Sequence, residues 1–91
     1  MTKLEALSEK FRVLIKAVKN KPEGIRFFKE QEINYQEILR INNYRKVLIN
    51  SAHTELRVWL RELLEKDERD YALKEFEIID AKTEKKGRNQ S

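Results

Sequence analysis

Two glycines and one proline are the only strong breakers of regular backbone in this chain. A β-sandwich or barrel needs such residues at nearly every hairpin, so their scarcity points to helices. Pro22 and Gly24 also share one compact cluster, Asn20-Lys21-Pro22-Glu23-Gly24, and Gly87 stands close to the last residue. The remaining turns must be made by weaker signals. At 91 residues the chain forms one domain, whose small core implies a thin margin of stability. Hydrophobic and charged residues each make up 40%, so a second protomer is one way of completing that core. The expected fold is all-α, a small bundle of three to five helices. Residues 1–79 form a single helical domain in this reading, and 80–91 form a disordered basic tail.

Hydrophobic spacing places the helices. Thr2-Lys3-Leu4-Glu5 has the form of a capping box and opens a helix that runs to about Lys19. Its apolar stripe is Leu4, Leu7, Phe11, Leu14, Ile15 and Val18, with Lys3, Lys10, Arg12, Lys16 and Lys19 on the outward side. Asn20 is expected to cap a second, short helix ending near Glu32. Asn34 would then cap a third, which ends at the turn-forming pair Asn42-Asn43. One unbroken helix from Gly24 through Leu64 is the alternative. The stretch Tyr44 to Leu64 carries the longest stripe, Leu48, Ala52, Leu56, Trp59, Leu60 and Leu63, and is expected to be the central helix. A run of charge from Glu65 to Asp70 ends it. Ala72, Leu73, Phe76 and Ile79 then begin a last helical face, with a short strand around Phe76-Glu77-Ile78 as the minor alternative.

Several classes of chemistry find no support. Cysteine is absent, which removes disulfides, thiolate metal sites and cysteine nucleophiles, and is consistent with a reducing cytoplasm. The single His53 has no nucleophile or clustered metal ligands at suitable spacing, and no Gly-rich loop is present to hold a phosphate. No apolar run reaches the ~18 residues of a membrane span, and the first residues carry charge too early for a secretory signal. The expectation is a cytoplasmic, non-enzymatic protein with no cofactor, no metal and no small-molecule substrate.

The central helix carries the best functional signal. Opposite its apolar stripe stand Lys46, Asn50, His53, Arg57 and Arg61, uninterrupted by any carboxylate. Cations that neutralise phosphates, together with donors that reach base edges, are what nucleic-acid binding requires. The net charge of +4 permits such a partner without demanding one. A solvated face, partly balanced by i,i+4 pairs such as Arg61 with Glu65, is the plainer explanation of the same residues.

A short helix, a turn at Asn42-Asn43 and a longer helix have the layout of a helix-turn-helix. The segment INYQEILRINN resembles the opening of the helix-turn-helix in region 4 of sigma factors and related regulators, through Asn34, Tyr35, Glu37 and Ile38, with Ser51 as the counterpart of a polar recognition-helix residue. It differs at Leu39, Asn42 and Asn43, where that motif has a small residue, an apolar residue and usually glycine. The resemblance implies that Arg45, Lys46, Asn50 and His53 lie nearest the major groove of DNA.

Two functions follow as expectations. The first is a small nucleic-acid-binding protein, a DNA-binding regulator or an RNA binder, using Arg45, Lys46, Asn50, His53, Arg57 and Arg61. The alternative is a helical adaptor or coiled-coil module that forms a homodimer or binds a larger protein through Leu4, Leu7, Phe11, Leu14, Val18 and Phe27. Trp59 is expected in the core, since it shares the stripe of Leu56 and Leu60, and His53 on the surface.

Overall fold

The computed structural model describes residues 1–90, with side chains described through Glu84. Four helices account for nearly all of it: α1 (Lys3–Ala17), α2 (Pro22–Ile41), α3 (Arg45–Leu63) and α4 (Lys66–Gln90). The expected all-α fold is present, and no helix among the described residues is long and apolar enough to cross a membrane. The bundle is flat, with principal extents of 40 × 29 × 16 Å.

The organising element is α1, not the α3 stretch expected to be central. It packs against all three other helices, whereas α2 and α4 do not pack on each other. Its buried side chains are Ala6, Leu7, Lys10, Phe11, Val13 and Leu14. These side chains fall within about 160° of the helix circumference, and Glu5, Arg12 and Lys16 lie exposed on the opposite side. The Thr2 hydroxyl accepts from the Glu5 amide, and the Glu5 carboxylate accepts from the Thr2 amide, so the expected capping box is formed. Around α1 the core adds Val18, Phe28, Leu39, Ala52, Leu56, Leu60, Leu64, Ala72, Phe76 and Ile79.

The expected break near Glu32 is absent, and α2 is one helix of 20 residues. Its inward line is Ile25, Phe28, Glu32, Tyr35 and Leu39, at steps of three and four. Glu32 is half-buried in the middle of that line, so its methylenes continue a stripe that its charge conceals. Ile33 and Ile38 lie outside it and are exposed. The helix begins with Pro22 at its first position and Lys21, not Asn20, as the cap. Gly24 brings this first turn against α1: a Cβ there would lie 3.2 Å from Val18 Cβ. The helix does end at Asn42, whose side-chain carbonyl accepts from the Tyr44 amide at 2.7 Å.

Lys21 ties the α1–α2 connection to the start of α4. Its Nζ donates to Glu68 at 3.1 Å and lies 3.5 Å from a Glu65 oxygen. Glu68 also accepts from the Glu65 amide at 2.9 Å. These contacts, first the Glu68 hydrogen bond, hold the Lys21 ammonium above its ordinary range. The bond from the Glu65 amide is the main cause of the lowered Glu68 carboxylate.

The last helix also extends past the expected domain limit at Ile79. Asp80 and Thr83, assigned to the tail by sequence, belong to α4, and Thr83 Oγ1 donates back to the Ile79 carbonyl at 2.9 Å. Lys82 is exposed. The other members of the expected basic cluster, Lys85, Lys86 and Arg88, have side chains outside the described residues, as does all of Ser91.

Burial predicts where the fold is sensitive. Leu14→Ala, at a position with no solvent exposure, should cost about 2–5 kcal/mol in chemical denaturation. Ile41→Ala, at the far end of α2, should change stability by less than ~0.5 kcal/mol.

Candidate functional site

Three surfaces concentrate the features singled out by sequence: a polar seam between α1, α3 and α4, an aromatic groove beside α2, and the corner where α2 turns into α3.

The seam is built around Lys10. Its outward assignment by sequence is overturned: the residue is 2% exposed. Its Nζ lies 2.7 Å from Asp80 Oδ1 and 5.1 Å from the centre of the Phe76 ring. An ammonium in such a place requires a counter-ion, and the aromatic face adds a weaker attraction. Arg57 donates to the other oxygen of Asp80 at 2.9 Å. One carboxylate on α4 therefore joins a cation from α1 to a cation from α3.

The neighbouring α3 side chains are engaged with α1. Asn50 Oδ1 accepts from Lys3 Nζ at 3.1 Å, and His53 Nε2 donates to the Lys3 carbonyl at 3.1 Å. With Nε2 carrying the proton, His53 Nδ1 is an acceptor, buried and without a hydrogen-bond partner. Burial pushes the His53 pKa below its ordinary value, and the nearby Lys10 ammonium adds to this, against the opposing pull of the Lys3 carbonyl and Asp80. The residue expected on an open surface is half-buried. A cavity of about 260 Å³ remains between these groups.

The structure thus divides the six sequence-selected α3 residues. Asn50, His53 and Arg57 make contacts with α1 or α4 within the chain, while Arg45, Lys46 and Arg61 are exposed and form no ion pair within 4 Å among the described residues. Arg45 and Lys46 occupy the first turn of α3, which carries no acidic residue and has no side-chain cap.

The stripe expected to meet a partner is covered by the chain's own helices. Leu7, Phe11, Leu14 and Val18 are buried in the core, and Leu4 packs partly against it. Phe27, expected to face outward, is half-buried against Phe28 and Trp59, with ring centres 5.4 and 5.3 Å apart, respectively. Trp59 also meets Phe11 and Phe28 and joins the core, though only half-buried. Phe27 and Trp59 line an open groove of about 960 Å³ with Val18, Pro22, Gly24 and Leu63.

The corner was not singled out as a surface by sequence. Among the described residues seven large apolar side chains are exposed, and five of them lie between 33 and 47: Ile33, Ile38, Ile41, Tyr44 and Val47. Ile41 is 81% and Tyr44 73% exposed. Arg40, Arg45 and Lys46 stand among them. The signal in the sequence was present: these apolar residues are off the stripes that α2 and α3 bury.

No protein-family model, curated protein or solved structure matches this chain. What the structure establishes is a class, a four-helix all-α domain organised on its first helix.

Two outcomes test the seam. Asp80→Ala leaves the Lys10 ammonium buried without its counter-ion and should cost on the order of 3 kcal/mol in urea denaturation, more than Lys10→Met, which leaves Asp80 paired with Arg57. For His53, a lowered native pKa means that the unfolded chain takes up the proton first as pH falls. Stability is thus full above pH ~6.5 and declines as pH falls through that value toward the native pKa. His53→Gln should flatten this part of the stability–pH curve.

Proposed function

We propose that this chain is a non-enzymatic helical interaction module that presents the α2–α3 corner to a macromolecular partner. The observation that carries the proposal is the concentration of exposed apolar side chains between Ile33 and Val47, which hold five of the seven large ones exposed among the described residues. Scattered single apolar residues are ordinary on protein surfaces, whereas a contiguous set rimmed by charge is the composition of a binding patch. Isoleucine and tyrosine supply contact area, and Arg40, Arg45 and Lys46 supply orientation toward carboxylates or other anions.

Nucleic-acid binding is the second reading, and one observation favours it. Arg45 and Lys46 point from the first turn of α3, where exposed amides and two cations without partnering carboxylates suit a phosphate. In this reading α2, the Asn42-Asn43 turn and α3 act as a helix-turn-helix-like unit, Tyr44 stacks on a base, and dimerisation presents two such units. The engagement of Asn50, His53 and Arg57 with α1 and α4 makes it the weaker reading, since half of its expected contacts already have partners.

Site-specific cross-linking separates these outcomes. A photoreactive phenylalanine analogue at Tyr44 should capture a macromolecule in the source cells, and the same analogue at Lys74, on exposed α4, should not. Protein adducts from position 44 support the module reading, and nucleic-acid adducts support the second. Equal capture from both positions, or none from position 44, overturns the corner as the functional surface.

A further inference from the structure

An open pocket of about 440 Å³ lies where α1 and α3 begin. Leu4 and Ile49, both packed partly on the core, form its apolar wall. Lys3, Arg45 and Lys46 line it, and among the described residues no carboxylate does. Lys3 Nζ donates to Asn50 Oδ1 at 3.1 Å, and this bond stands between the pocket and the seam, since both residues line both cavities. The carboxylates of neighbouring segments are engaged or lie on the seam side. Asp80 and Glu84 line the seam cavity, with Asp80 bound to Lys10 and Arg57. Glu5, two residues from Lys3, accepts from the Thr2 amide, and Glu37 on α2 is paired with Arg40. None of the three cations has a carboxylate oxygen within 4 Å among the described residues.

We propose that this pocket binds a small phosphate monoester whose organic body rests on Leu4 and Ile49. Three cations set against no carboxylate favour an anion of more than one charge, and a phosphate monoester carries roughly −1.5 to −2 at neutral pH. Arg45 offers a planar fork to two phosphate oxygens, and Lys3 and Lys46 act as point charges. A carboxylate fits less well, since its single charge leaves most of this field unbalanced. A bare phosphate would leave the apolar wall uncovered, and the pocket falls within the ~300–1,000 Å³ of ligand sites. Two sources share this chemistry, a nucleotide and a phosphate carried on a more apolar group. The inference goes beyond the corner reading, because the pocket takes a small ligand between α1 and α3 whichever macromolecule meets Tyr44.

The test is a titration of the isotope-labelled full chain, followed by its amide NMR shifts, with phenyl phosphate, adenosine monophosphate, inorganic phosphate and phenol as probes. The esters should shift the amides of Lys3, Arg45, Lys46 and Ile49, and phenol should shift none of them. The tighter ester should bind ~10-fold or more above inorganic phosphate, through the surface that its body covers. Tighter binding of adenosine monophosphate assigns the body to a nucleoside, and tighter binding of phenyl phosphate assigns it to a more apolar group; either order supports the pocket. Lys46→Glu should keep the helical circular dichroism, since a carboxylate suits the first turn of α3, and should weaken ester binding by ~10-fold or more. Lys74→Glu makes the same change of charge on exposed α4 and should leave the affinity unchanged. No shift at the pocket with either ester overturns the proposal, as does equal affinity for the esters and inorganic phosphate, or equal weakening by the two variants. Capture from position 44 does not depend on these titrations, so failure here and failure of the corner reading are distinguishable.

Discussion

A buried ammonium with one carboxylate beside it sets the arrangement of this domain. Lys10 reaches from α1 into the interface with α4, where Asp80 lies 2.7 Å away and the ring of Phe76 forms one wall. Burying such a charge is unfavourable unless its partner is in place, so α4 has one register on α1 in which Asp80 meets Lys10. Arg57, on the other oxygen of Asp80, extends the same requirement to α3. Apolar packing supplies the bulk of the driving force and is non-directional, whereas this three-residue link joins one named side chain on each of α1, α3 and α4.

This link has a consequence for function. The side of α3 that reads as an open basic face is in part engaged within the chain, since Asn50, His53 and Arg57 bond to Lys3 and Asp80. In the proposed module reading, the surface that remains for a partner is the α2–α3 corner beside this seam, where Arg45 and Lys46 line a shallow pocket with Lys3 and Asn50. There Ile33, Ile38 and Ile41 lie on the side of α2 away from its buried line, and Tyr44 and Val47 are exposed where α3 begins. The domain thus combines a core built on α1 with a corner that exposes five large apolar side chains.

Much of the fold was legible in the sequence, and the rest was hidden for identifiable reasons. The scarcity of Gly and Pro implied helices, the Thr2–Glu5 capping box marked the start of α1, and Asn42-Asn43 marked the turn into α3. The unbroken course of α2 was hidden because Glu32 occupies a stripe position with its methylenes while its charge reads as polar. The central place of α1 was hidden because Lys10 was assigned outward by residue type, although it stands three residues after Leu7 and four before Leu14. Of the candidate site residues, Arg45, Lys46, Asn50, Arg57 and Arg61 are exposed as expected from their chemistry, and His53 is half-buried; what the sequence did not show is that Asn50, His53 and Arg57 are engaged by Lys3 and Asp80, partners distant in sequence. Leu7, Phe11, Leu14 and Val18 have the spacing of an interface helix, and spacing alone does not distinguish a partner's helix from one in the same chain.

Native-state hydrogen exchange tests the central claim, that α1 is the hub and the corner lies at the periphery of the stable structure. Amides from Lys10 to Leu14 should exchange only through global unfolding, and those near Ile38 to Ile41 should exchange orders of magnitude faster through local opening. Slowest exchange in α3, with α1 opening locally, would contradict the account and return the organising role to α3.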